Sequence, residues 1–157
     1  MKIRALVAML AWLASAQAWA GLNSCAVSAT PVSFGTYDPT NPTAVTPTGS
    51  ISVSCQLISG VSLLVGYTIT LSTGSGNYSA RKMVGTATPL AYNLYLDGGW
   101  TQVWGDGVTN GTFSKTDGYL LGVGTVVLSY TVYGKMPARQ LVAAGGYSDN
   151  IVVTISY

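Results

Sequence analysis

Glycine and proline interrupt this chain at intervals of roughly 8–12 residues, and the runs between them alternate apolar and polar. No helical period accompanies that spacing. Ile51, Val53 and Cys55 share one face of Gly49–Gln56, with Ser50, Ser52 and Ser54 on the other. Tyr67, Ile69 and Leu71 oppose Thr68 and Thr70 in Gly66–Ser72, and Leu90, Tyr92, Leu94 and Leu96 line one side of Leu90–Leu96. Ile151, Val153, Ile155 and Tyr157 share a face of Asn150–Tyr157. A period of two marks strands with one buried face and one wet face. Three further strands are predicted over Ala26–Phe34, interrupted by Pro31, over Arg81–Val84 and over Gly124–Tyr133. Asp97-Gly98, Asp106-Gly107, Asn110-Gly111 and Asp117-Gly118 read as turns, because glycine accepts positive φ without steric cost. Tyr37–Thr48, with Pro39, Pro42 and Pro47, reads as a loop. The prediction is an all-β chain of seven short strands, arranged as an immunoglobulin-like sandwich.

The first 20 residues have a different character. Lys2 and Arg4 precede an unbroken apolar run, Ala5–Ala14, and Ala18-Trp19-Ala20 places small residues where a signal peptidase reads them. This is a secretory signal pattern. The run is about half of what a transmembrane helix needs. Cleavage after Ala20 leaves a single domain, residues 21–157; a cut after Ala18 moves the start by two residues. No later stretch reaches membrane-spanning length.

Processing also changes the charge. Arg81, Lys82, Lys115, Lys135 and Arg139 balance Asp38, Asp97, Asp106, Asp117 and Asp149, so the exported domain is neutral. No basic cluster exists for nucleic acid or an anionic membrane. A surface this poor in charge suits a protein packed into a polymer or coat. Export also exposes Cys25 and Cys55 to an oxidising compartment, where a disulfide is the default. Closing a loop of about 30 residues should stabilise the fold by roughly 3–4 kcal/mol.

Chemistry is hard to find. Histidine and glutamate are absent, and the aspartates occupy turn positions. No base stands ready to activate a serine or threonine, no calcium-loop pattern occurs, and Gly122-Val123-Gly124 lacks the third glycine of a dinucleotide fingerprint. The expectation is a protein that is not an enzyme and needs no cofactor or metal. Asn77-Tyr78-Ser79 and Asn110-Gly111-Thr112 match the glycosylation pattern, which matters only in a source that glycosylates. Trp100 and Trp104 flank a glycine-rich turn. They either form a surface-binding, sugar-stacking loop or cover one end of the core. Leu57–Val65 and Tyr119–Val127 read equally as buried strand or exposed apolar loop.

A set of motifs carries a family resemblance. Cys25 is followed by Val32-Ser33-Phe34-Gly35-Thr36-Tyr37-Asp38-Pro39, then Thr48-Gly49-Ser50-Ile51-Ser52-Val53-Ser54-Cys55. Arg81-Lys82-Met83, Leu90-Ala91-Tyr92-Asn93-Leu94-Tyr95, Trp104-Gly105-Asp106-Gly107 and Val132-Tyr133-Gly134-Lys135-Met136-Pro137 come next. Gly145-Gly146-Tyr147-Ser148-Asp149 then leads into Ile151-Val152-Val153-Thr154-Ile155. In this order the set resembles the spore coat protein U domain, found in subunits of archaic, Csu-type chaperone–usher pili. The resemblance implies a pilin-type sandwich lacking its last strand, with Cys25 and Cys55 bridging the first two strands. It implies a periplasmic chaperone, an outer-membrane usher and neighbouring subunits as partners, and export through the periplasm to the cell surface. It also implies donor-strand complementation, in which a partner's strand fills a groove. Ile151, Val153, Ile155 and Tyr157 would line that groove. Polymerising members carry a donor segment of a dozen or so residues before the first cysteine. Here Gly21, Leu22, Asn23 and Ser24 extend about 13 Å at ~3.3 Å each. The expectation is a tip-like subunit that accepts a strand and donates none. The other expectations are a stand-alone secreted coat protein and a carbohydrate- or surface-binding module.

Overall fold

Among the described residues eight strands form, one more than the turn spacing predicts. The computed structural model describes residues 23–57, 63–85, 88–121 and 124–157. The signal segment predicted over residues 1–20 and its expected cleavage point lie outside the described residues. The strands are β1 (Asn23–Thr30), β2 (Thr48–Leu57), β3 (Leu63–Leu71), β4 (Arg81–Met83), β5 (Leu90–Tyr95), β6 (Lys115–Leu121), β7 (Thr125–Lys135) and β8 (Val153–Ser156). They make two sheets, one of five strands in the order β1-β2-β7-β5-β4 and one of three in the order β6-β3-β8. Every ladder between named strands is antiparallel.

The inward faces are those the alternation marks. Ile51, Val53 and Cys55 from β2, Tyr67, Ile69 and Leu71 from β3, and Leu90, Tyr92 and Leu94 from β5 are buried together. Cys25 stands directly opposite Cys55 and is bonded to it. The loop predicted over Tyr37–Thr48 runs to Pro47, with Thr48 opening β2, and it touches β7's end through a Val45–Met136 bridge. Asn110-Gly111 turns with positive φ at both residues, 53° and 66°.

The strand the turn reading missed is β6. Asp117-Gly118 lies inside it, with Gly118 opposite Gly66 of β3. The Asp117 carboxylate accepts from the Gly118 amide (2.8 Å) and from the Tyr130 hydroxyl of β7 (3.0 Å). The sheet thus satisfies the aspartate that sequence alone assigns to a turn. At the other end Pro31, which has no N–H to donate, ends β1 four residues earlier than expected.

Arg81 of β4 is 0% exposed. Its Nε and Nη2 donate to the Ser72 carbonyl (3.1 and 2.9 Å), Nη2 also to the Trp104 carbonyl (2.7 Å) and Nη1 to Asn93 Oδ1 (2.6 Å). Ser72 directly follows β3 and Asn93 belongs to β5, so one side chain joins the two sheets. Replacing Arg81 with methionine keeps most of the volume and removes the donors to the Ser72 and Trp104 carbonyls, while Asn93 Oδ1 keeps only the Leu94 amide. Arg81→Met should cost about 3–5 kcal/mol in urea unfolding; a loss under about 1 kcal/mol would contradict this account.

Carboxylates close the loops. Hydrogen bonds from Thr109 and Val108 hold the Asp106 carboxyl far below its usual range, and donors from Thr40 and Gln102 lower Asp38 and Asp97. Lowered folded-state values mean a contribution present above the unfolded pKa of about 4 and lost as pH falls through the folded values. The urea midpoint should therefore stay flat from neutral pH to about 5 and drop below about 4. Asp106→Asn should make that drop shallower.

Candidate functional site

Five strands separated by about 4.8 Å span ~19 Å, whereas three span only ~10 Å. The smaller sheet leaves part of the larger sheet's inner face uncovered, and an open apolar cleft of about 1010 Å³ lies there. Ile51, Leu94, Val132 and Met136 are among the residues at its base, and Leu71, Ile151 and Val153 line its β3–β8 side.

Two irregular segments form the walls. The first leaves β1 at Pro31 and crosses the inner face of the large sheet. It can do so because β2 and β7 carry glycines there. A Cβ on Gly49 would sit 2.7 Å from the Thr30 carbonyl oxygen. One on Gly134 would sit 2.7 Å from Val32 and 2.9 Å from Phe34. Phe34 then meets Tyr92 edge-on, with ring centroids 5.5 Å apart.

The second wall, 142–151, is a strap held mainly by polar contacts. Val84 and Ser148 exchange backbone hydrogen bonds (2.8 and 3.1 Å), and the Tyr147 ring packs against Gly85. Gln140 bonds both backbone groups of Ala91 (2.7 and 2.8 Å), standing in for a strand neighbour after β7 ends. Tyr37 donates to the Pro137 carbonyl and accepts from the Gln140 amide. Asp149 anchors the strap's end. Its Oδ1 accepts from the Ser75 amide (2.9 Å), the Ser75 hydroxyl (3.0 Å) and the Asn150 amide (2.9 Å). Its Oδ2 accepts from the Tyr92 hydroxyl (2.7 Å), and burial together with this bond pushes the tyrosine's pKa up.

β8 pairs with β3 along one edge, and among the described residues no strand pairs with its other edge. Ile151 and Val153 line the cleft. Ile155 packs against the core farther along β8, and Tyr157 is 64% exposed; neither lines the cleft. The residues that sequence reasoning missed are Val32, Phe34, Tyr92 and Asp149. Gly49 and Gly134 were the available signal, since a glycine at an inward strand position marks a close approach by another segment.

The two tryptophans separate. Trp104 is 0% exposed and its indole donates to the Ile69 carbonyl (3.1 Å), so it belongs to the core and offers no binding surface. Trp100 lies in a turn with φ 54°, held by the Asp97 carboxylate through Thr101 and Gln102, and Lys135 Nζ sits 5.0 Å from its ring centroid. The apolar stretches divide too. Tyr67, Tyr119 and Tyr130 pack between the sheets, and the Tyr67 and Tyr130 hydroxyls bond each other. Leu64 and Leu120, cross-strand partners, stand 73% and 67% exposed on the small sheet's outer face.

The cleft offers apolar surface and an unpaired strand edge. Among the described residues no helix is long and apolar enough to cross a membrane, and no three metal-ligating side chains cluster.

Comparison with known proteins agrees with this architecture. The family model described as the Spore Coat Protein U domain matches residues 12–154. The chain belongs to the spore coat protein U domain family. It is similar to Protein U of Myxococcus xanthus, 34% identical over 134 residues, which are 80% of this chain and 71% of that protein. Its fold is similar to a chain in the crystal structure of a chaperone–tip adhesion subunit pre-assembly complex (CsuC–CsuE) from archaic chaperone–usher Csu pili of Acinetobacter baumannii. The TM-score is 0.52 at 20% identity, covering 87% of this chain and 40% of that one. The spore coat protein U domain here is thus a two-sheet, disulfide-bonded β fold of pilin type.

Burial ranks the tryptophans. Trp104→Ala should cost about 3–5 kcal/mol in chemical denaturation, as large buried-aromatic truncations do. Trp100→Ala should cost clearly less; the reverse order would refute the assignment of Trp104 to the core.

Proposed function

We propose that this protein is a structural, non-enzymatic subunit of a chaperone–usher surface fibre, and that its cleft accepts an extended strand from a partner chain. The observation that carries this is the coincidence of β8's unpaired edge with the uncovered apolar face beside it. An incoming strand would gain main-chain hydrogen bonds from β8 and bury alternate side chains on Ile51, Leu94 and Val132. It would also widen the small sheet to four strands. Ile151 and Val153 form the central groove wall, and Ile155 and Tyr157 guide the strand farther along β8. The partners are a periplasmic chaperone, then a neighbouring subunit's N-terminal segment, with an outer-membrane usher on the route to the surface. The similarity to a chaperone–tip subunit complex supports this reading. A terminal position in the fibre is part of the proposal. It requires cleavage after Ala18 or Ala20, which N-terminal sequencing of the exported protein checks.

A second, compatible role is adhesion. The Leu64–Leu120 cross-strand pair is exposed on the small sheet's outer face, which favours apolar contact with a surface there. Trp100 is the remaining aromatic candidate for surface contact.

The strand-accepting role is tested by adding peptides that copy the N-terminal segments of co-encoded subunits and following thermal unfolding. At 100 times Kd a bound peptide stabilises by about 2.7 kcal/mol. Tm should rise by on the order of 10 °C. Val153→Glu, which puts a charge against the groove, should remove the shift. No shift with any peptide and no complex with a co-expressed chaperone would overturn the proposal.

A further inference from the structure

The cleft is lined by apolar and neutral polar residues, with one carboxylate at its strap end. Of its lining residues, Asp149 alone carries a formal charge at neutral pH. Among the described residues the one ion pair is Lys115–Asp117, so Asp149 has no cation in contact. Arg81 offsets part of its charge through space, but its donors are committed to Ser72, Asn93 and Trp104. Oδ1 of Asp149 receives three hydrogen bonds and Oδ2 only the one from Tyr92. A carboxylate oxygen has two lone pairs, so Oδ2 keeps one acceptor site unused. The bonds from Ser75 and Tyr92 fix that oxygen in place before any ligand arrives. An apolar side chain arriving beside it would desolvate an uncompensated charge, and an acidic one would be repelled.

Resting on the strand-accepting role above, we infer that Asp149 receives a lysine or arginine side chain of the incoming segment and so sets that segment's register and direction. A strand has period two, so a slip of one residue turns its apolar set away from the base of the cleft. A slip of two keeps the apolar face inward, and apolar packing discriminates poorly against it. One charge at one end removes that degeneracy, and it also marks which end of the segment lies by the strap. The occupant is therefore an extended segment with apolar residues at alternate inward positions and a cationic residue at the inward position by Asp149.

The test uses the full exported chain and synthetic capped peptides with valine at alternate positions and threonine between. One terminal inward residue is lysine, glutamate or norleucine, in two series that vary the first or the last inward position. In one series the lysine peptide should bind about tenfold more tightly than the glutamate peptide, with norleucine between. The other series should discriminate weakly, which gives the direction of the strand. Asp149→Asn, which retains an acceptor for Ser75, should erase the preference. In the wild-type chain, raising salt from 0.05 to 0.5 M should weaken the lysine peptide several-fold and leave the norleucine peptide unchanged. Equal affinities for lysine and glutamate peptides in both series, or a preference that survives in Asp149→Asn, would overturn the role of Asp149 and leave strand acceptance standing. Failure of every peptide to bind would overturn both.

Discussion

Arg81 keeps a full positive charge inside the sandwich with no carboxylate in contact, and the layout of the fold around it follows from how that charge is satisfied. Removing a guanidinium from water is costly unless its donors find oxygens. Here they find the carbonyl after β3, the carbonyl of Trp104 and the side chain of Asn93. Asn93 in turn donates to the Tyr78 carbonyl, and Tyr78 donates to the Leu71 carbonyl. The chain's irregular connections are thus pinned to the ends of β3, β4 and β5. Tyr92 and Asp149 lie beside this cluster, which is why the strap that walls the cleft has a firm attachment at one end.

That attachment matters because the apolar base of the cleft does not close on itself. The five-stranded sheet is wider than its partner, and the crossing segment with Val32 and Phe34 covers only one side of the difference. An uncovered apolar face would normally collapse or be filled by loop side chains. The strap is instead fastened by its bonds to Val84, Ser75 and Tyr92, with Val142, Tyr147 and Ile151 packed against the core. The cleft is therefore built into the framework rather than left by loose packing.

Much of this framework is legible in the sequence. The alternation in β2, β3, β5 and β8 names the inward residues directly, because a period of two depends only on strand geometry. The Cys25–Cys55 bridge joins the two cysteines that the signal pattern leads one to expect as a disulfide. Asp117-Gly118 shows where local reading fails. The same dipeptide that favours a turn can sit in a strand when a glycine faces it and a tyrosine supplies a donor. Trp104 and Trp100 look alike in sequence, yet one fills the core and the other caps a turn, because their burial depends on which sheet each loop crosses. The Arg81 and Asp149 networks are invisible beforehand for the same reason. The bonds made by Arg81, and those from Ser75 and Tyr92 to Asp149, span 9 to 74 residues, and no local pattern encodes such a meeting.

The open strand edges differ in a way that bears on function. An exposed edge invites unwanted pairing unless it is blunted. β4 has the strap beside it through Val84 and Ser148. β6 carries Lys115 and Asp117, charges that disfavour close approach by another strand. β1 is uncharged, but the disulfide fastens it to β2, and its side chains are small. β8 has none of these devices. It is uncharged along its length, no described strand pairs with its outer edge, and Val153 opens onto the cleft. Only at the strap end, at Asp149, does a charge appear. An edge left open, apolar on its inner side and marked with one charge at one end is what the proposed strand-accepting role requires.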